Sequence, residues 1–128
     1  MKENQNPISP HLQVYRWHVS SLLSITHRIA GVINLLTLII MFFWILIFNF
    51  SENNYELFLL AINSFFGKFI LIGFTWSMSF HIFSGIRHLV WDIGYGFEIK
   101  TANISGIIVI ISSLILTIIF WLFARGFI

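Results

Sequence analysis

Three long apolar runs, each bounded by charges, dominate the chain. Between Arg28 and Glu52 the run IAGVINLLTLIIMFFWILIFNFS carries no charge. Between Lys68 and Arg87 the run FILIGFTWSMSFHIFSGI is also uncharged, although it contains His81. The third, TANISGIIVIISSLILTIIFWLFA, lies between Lys100 and Arg125. A helix needs about 20 mostly apolar residues to cross a bilayer, so each run spans once and no fourth fits. Transmembrane strands would alternate apolar and polar residues over about 10 positions. These runs are continuous, and backbone groups in lipid must bond within their own segment. The pattern predicts an all-α integral membrane protein with transmembrane helices near 21–49, 66–92 and 103–124. A single membrane domain covers 1–128, with 1–20 as an N-terminal segment on the inner side. Asn53 and Asn54 mark a turn after the first span, and Tyr55 to Phe66 suits a short interfacial helix. Gly94 and Gly96 are placed to end the second span.

Composition agrees with that solvent. Of 128 residues 58% are hydrophobic and only 9% charged, whereas a soluble domain carries about a quarter charged residues. The formal net charge is +2, with no basic cluster interleaved with aromatics, which sets nucleic acid aside as a partner. The chain has no cysteine. Disulfides, iron–sulfur ligation, thiolate zinc sites and covalent c-type haem attachment are therefore excluded. The first twenty residues hold no apolar signal core and no small-residue cleavage pattern, so insertion through the chain's own helices is expected. Lys2, Arg16, Arg28, Arg87 and Lys100 fall on one side of the membrane, Lys68 and Arg125 on the other. Five against two puts the N-terminus inside. Trp17, Trp91 and Tyr95 fit the inner aromatic belt and Trp121 the outer one.

Polar residues within the spans carry the chemistry. Ser24, His27, Arg28, Gly31 and Asn34 recur at spacings of three and four, the repeat of one helical stripe. Arg28 sits roughly 10 Å along the first helix, and a charge at mid-bilayer costs about 2.5–3.5 kcal/mol, so an anionic group should compensate it. In the second span Ser77, His81, Ser84, Gly85 and His88 form a matching stripe. The two helices run in opposite directions, so both stripes lie in the inner half of the membrane and can meet. A porphyrin offers an apolar plate, two carboxylates and an iron that takes neutral imidazole. His81 suits the iron, Gly85 the approach of the plate, and His27 with Arg28 the propionates. Ser24 and Arg28 can also hydrogen-bond a quinone carbonyl and stabilise its charge on reduction. Plainer readings stand beside these. A buried His can simply join helices, Arg28 can snorkel to the interface, and His88 suits a structural or a propionate-side role. His81 and His88 are two turns apart on one helix and cannot clamp one iron. A His27–His81 clamp remains open, but a second ligand from another subunit leaves His27 and Arg28 free for the propionates and is favoured. In the third span Ser105, Gly106, Ser112 and Ser113 read as packing surface.

The runs SPHLQVYRW, SITHRIAG and HIFSGIRHLVWDIGYG resemble the cytochrome b membrane-anchor subunits of succinate dehydrogenase, respiratory complex II. The resemblance covers the N-terminal segment and the first two spans; the third matches in hydrophobicity alone. SPHL and the W-D pair look like the mitochondrial and alphaproteobacterial branch. What the resemblance implies is specific. His81 would be the axial ligand of haem b, shared with a second small membrane-anchor subunit in a helical bundle. His27 and Arg28 would lie by the haem propionates, and His88 near the haem edge. Ser24 and Arg28 would line a ubiquinone site, with Trp17 and Ile25 beside it. The remaining partners would be an iron–sulfur subunit and a flavoprotein that oxidises succinate, so this chain would not be a catalyst on its own. The membrane would be a mitochondrial inner or bacterial cytoplasmic one. Two alternatives are an anchor of a quinol:fumarate reductase and a haem-free structural or transport subunit.

Overall fold

The computed structural model describes residues 17–48 and 52–125. It consists of α1 (Val19–Phe48), α2 (Glu52–Asn63), α3 (Phe65–Asp92) and α4 (Ile99–Arg125). Of these, α1, α3 and α4 are long and apolar enough to cross a membrane. Lys2 and Arg16, counted above for orientation, lie outside the described residues.

Each span ends for a local reason. Ser64 alone separates α2 from α3, and its hydroxyl works in both directions: it donates to the Ala61 carbonyl at 2.6 Å and accepts from Gly67 N–H at 3.0 Å. That is an N-cap, which satisfies one of the orphan donors of a helix start. A side chain on Gly67 would run into the backbone of Ala61 and Ile62, so the α2–α3 corner requires glycine. The expected interfacial helix is therefore α2, displaced a few residues toward the N-terminus and ended by this cap. At its other end α3 closes in a Schellman turn. Tyr95 N–H bonds the Val90 carbonyl at 3.2 Å and Gly94 N–H the Trp91 carbonyl at 2.8 Å. Gly94 supplies the left-handed φ of +98° that this motif needs. The last span begins at Ile99, four residues before the expected 103, and Ala102 N–H bonds the Glu98 carbonyl at 2.8 Å.

We call the end of the bundle bearing Val19 and the α3–α4 turn proximal, and the end bearing α2 distal. α3 is the central helix, contacting the other three. The core is narrow: Leu23 and Ala30 of α1, Phe80 of α3 and Val109 of α4. Gly106 lets α4 approach α1, because a Cβ there would collide with Leu23 and press on Val19 Cγ1 at 3.2 Å. Gly106 and Ser113 are buried against the other helices, as the small-residue reading of this span expected. Large apolar side chains such as Leu38, Phe42, Ile86 and Leu122 cover the outside, as lipid requires when it offers no hydrophobic incentive for burial.

Candidate functional site

The α1–α3 seam is set by a seven-residue repeat. Ser20, His27 and Asn34 follow one another every two turns on α1 and meet the polar stripe of α3. At mid-span the Ser77 hydroxyl is shared between the Ala30 carbonyl at 3.2 Å and Asn34 Oδ1 at 3.0 Å. A turn toward the proximal end, His27 stacks on His81 with ring centroids 4.1 Å apart and planes 7° apart. His27 also packs against His88, with centroids at 5.0 Å. Three imidazoles from two helices thus form one contiguous cluster.

Their hydrogen bonding is incomplete in an informative way. His88 Nδ1 lies 2.7 Å from the Ser84 carbonyl. A carbonyl can only accept, so Nδ1 carries the proton and the neutral ring keeps its lone pair on Nε2. His27 Nδ1, His81 Nδ1 and Ser84 Oγ are buried with no hydrogen-bond partner among the described residues. Orphaned buried polar atoms are costly, so a group outside the described residues is expected to complete them. The His27–His81 clamp is not formed. An imidazole binds iron through a lone pair in its ring plane, and rings stacked face to face cannot grip one iron from opposite sides.

Glycines shape the surroundings. A Cβ on Gly31 would stand 3.3 Å from His81 Cε1, so the glycine admits the imidazole. Gly85, one turn beyond His81, has open space where a Cβ would be. A flat apolar plate could approach there.

The remaining expected site residues lie along an adjacent stripe. At about 100° per residue, Ser24 and Arg28 fall on the flank of α1 turned away from Leu23 and α4, and Trp17, which precedes the helix, is exposed. Ser24 is half-buried and Arg28 exposed. Ile25 is 42% exposed and lies further round the helix. The chain alone thus brings His27, His81 and His88 together and leaves Ser24, Ile25, Arg28 and Trp17 facing outward.

Arg87 was read as a charge that bounds the second span. The structure instead buries it, with 6% of its surface exposed. Its Nε donates to Ser105 Oγ at 3.0 Å, and one terminal nitrogen donates to Ser20 Oγ at 3.1 Å and to the Ala102 carbonyl at 2.9 Å. The available signal was helix length: α3 runs five residues past Arg87 to Asp92, which brings the charge inside the bundle.

Comparison with known proteins identifies the class. Residues 2–120 match the family described as "Succinate dehydrogenase/Fumarate reductase transmembrane subunit", and the chain belongs to that family. It is similar to the succinate dehydrogenase cytochrome b556 subunit of Rickettsia prowazekii (strain Madrid E), 41% identical over 118 residues and 92% of each chain. It is also similar to the cytochrome b560 subunit of Reclinomonas americana, 37% identical over 91% of this chain and 84% of that one. The cytochrome b556 subunit of Paracoccus denitrificans is 32% identical over 92% of this chain and 91% of that one.

Proposed function

We propose that this chain is the membrane-anchoring cytochrome b subunit of a succinate:ubiquinone oxidoreductase. The observation that carries the reading is the imidazole cluster: three histidines in one line of ring contacts, two with buried Nδ1 atoms that nothing among the described residues satisfies. Those residues fit haem b. A one-electron centre is what the haem would supply.

The roles follow from placement. His81 is the axial ligand, and the second ligand comes from a second small anchor subunit. His27 and Arg28, with His88, serve the propionate side. Stacking on His27 and the absence of a side chain on Gly31 hold the His81 ring in place. Ser24 and Arg28 hydrogen-bond a ubiquinone carbonyl and stabilise negative charge on it during reduction. Trp17 and Ile25 are walls of that pocket. Their outward exposure is what a site shared with an iron–sulfur subunit requires. A flavoprotein subunit oxidises succinate away from the membrane, and this chain is non-catalytic alone. The family description also covers fumarate reductase. The three relatives above carry succinate dehydrogenase names, which favours oxidation of succinate.

The membrane is a mitochondrial inner or bacterial cytoplasmic one, with the N-terminus on the matrix or cytoplasmic side. Burial of Arg87 gives that residue a packing role, so removing it from the five inner charges leaves four against two. The sign of the orientation argument survives.

The test is purification of the complete assembly, followed by identification of its subunits, haem and quinone. A reduced b-type spectrum with bound ubiquinone is expected. A colourless preparation that keeps its partners would establish the haem-free structural subunit instead.

A further inference from the structure

Arg87 brings a full positive charge into the bundle, yet its partners among the described residues (Ser20, Ser105, the Ala102 carbonyl and the face of Trp91) are all neutral. An unpaired intramembrane cation is expensive, and hydrogen bonds in low dielectric are its compensation. The arrangement does two things. It joins three helices, because Ser20 belongs to α1 and Ala102 and Ser105 to α4. It also starts a continuous line of ring contacts. The guanidinium carbon lies 4.0 Å over the Trp91 ring. Trp91 meets His88 edge-on at 5.3 Å, His88 meets His27 at 5.0 Å, and His27 meets His81 at 4.1 Å. Trp91 is itself held from its far side, donating from Nε1 to the Gly96 carbonyl at 3.2 Å.

We propose that Arg87 is a positioning residue, which clasps α1, α3 and α4 at their proximal ends and, through Trp91, sets the pose of the His88–His27–His81 stack. Its bearing on a haem rests on the reading of His81 as ligand. The clasp itself does not. A guanidinium suits this role because its planar fork bonds two helices while its face covers an aromatic ring; an ammonium cannot do both.

The test uses the complete assembly with three variants. In Arg87→Met the low-spin haem EPR signal is expected to shift and broaden, and amide exchange to quicken over residues 99–106. Arg87→Lys should return the signal part of the way. Trp91→Leu leaves the three hydrogen bonds of Arg87 in place and cuts the ring contact, so it should alter the EPR signal while exchange over 99–106 stays at the wild-type rate. An EPR signal identical to wild type in assembled Arg87→Met or Trp91→Leu overturns the proposal. If Arg87→Met fails to assemble, Trp91→Leu and a Ser20→Ala/Ser105→Ala double variant decide the matter on the same readouts. A wild-type assembly without haem would sink the ligand reading of His81 instead. The stack is then followed by the side-chain 15N shifts of His27 and His88, and no change in them in Trp91→Leu would end the positioning proposal.

Discussion

The distal half of the bundle and the proximal half contain similar kinds of polar side chain but direct them differently. Toward the distal end, hydroxyls fold back on their own helix: Thr37 on Ile33, Thr75 on Leu71 and Thr117 on Ser113, each at 2.8 Å. These bonds satisfy the hydroxyl and link nothing. From mid-span to the proximal end some hydroxyls still fold back, Ser79 on Thr75, Thr26 on Leu22 and Ser105 on Ala102, but other bonds cross between helices, from Ser77 to α1 and from Arg87 to α1 and α4. Between those two crossings lies the histidine stack. The distal half instead offers a groove of about 1000 Å³ among Trp44, Phe58, Phe74 and Phe120. A count of polar residues per span would not separate the halves. The crossings made by Ser77 and Arg87 do.

Six substitutions probe this contrast, from the largest expected effect to the smallest. His81→Ala should remove haem from the proximal site altogether; a reduced spectrum and midpoint equal to wild type would refute the ligand assignment. Arg28→Ala should lower quinone reduction by about a hundredfold, the scale of losing one aimed donor to a developing oxyanion, while succinate–dye activity persists. Equal loss of both activities would indicate failed assembly. Gly106→Ala places a methyl group against Leu23 and Val19 and should destabilise the α1–α4 contact by about 1–3 kcal/mol. Gly73→Ala, with nothing within 4 Å of the new methyl, should be neutral in the same unfolding assay. The last pair is the finest. Ser77 and Ser79 are equally buried, 1% and 2% exposed, but only Ser77 bonds another helix. Ser77→Ala should cost about 0.6 kcal/mol, typical of an interhelical bond in lipid, and Ser79→Ala close to nothing. Equal costs would erase the distinction between bonds that cross helices and bonds that fold back.

Much of this was legible in the sequence. Uninterrupted apolar runs have few physical solutions in lipid, so α1 and α3 were readable to within about two residues of their ends. The meeting of His27 with His81 followed from spacing and antiparallel direction. Arg87 escaped because charge was used to delimit spans, and a residue serving as a boundary is not also examined as an interior one. Its partners Ser20 and Ser105 are distant in sequence, so no local spacing announces them. The start of α4 was placed too late because Lys100 was taken as the charge that bounds the third run, whereas the helix already includes it. The face-to-face stacking of His27 and His81, which excludes a clamp within the chain, is a matter of ring orientation that no periodicity encodes.

The tight glycine turn after α3 has a consequence for biosynthesis. α3 is the least apolar of the three spans and carries a guanidinium as well as two imidazoles, which makes it the poorest candidate to enter a bilayer unaided. Only six residues separate it from the strongly apolar α4, so the pair can leave the insertion machinery as one hairpin. Ser105 and Ala102 then reach Arg87 before lipid does. Lengthening that turn should strand the chain at the membrane surface during synthesis, even though every contact of the finished bundle would still be available.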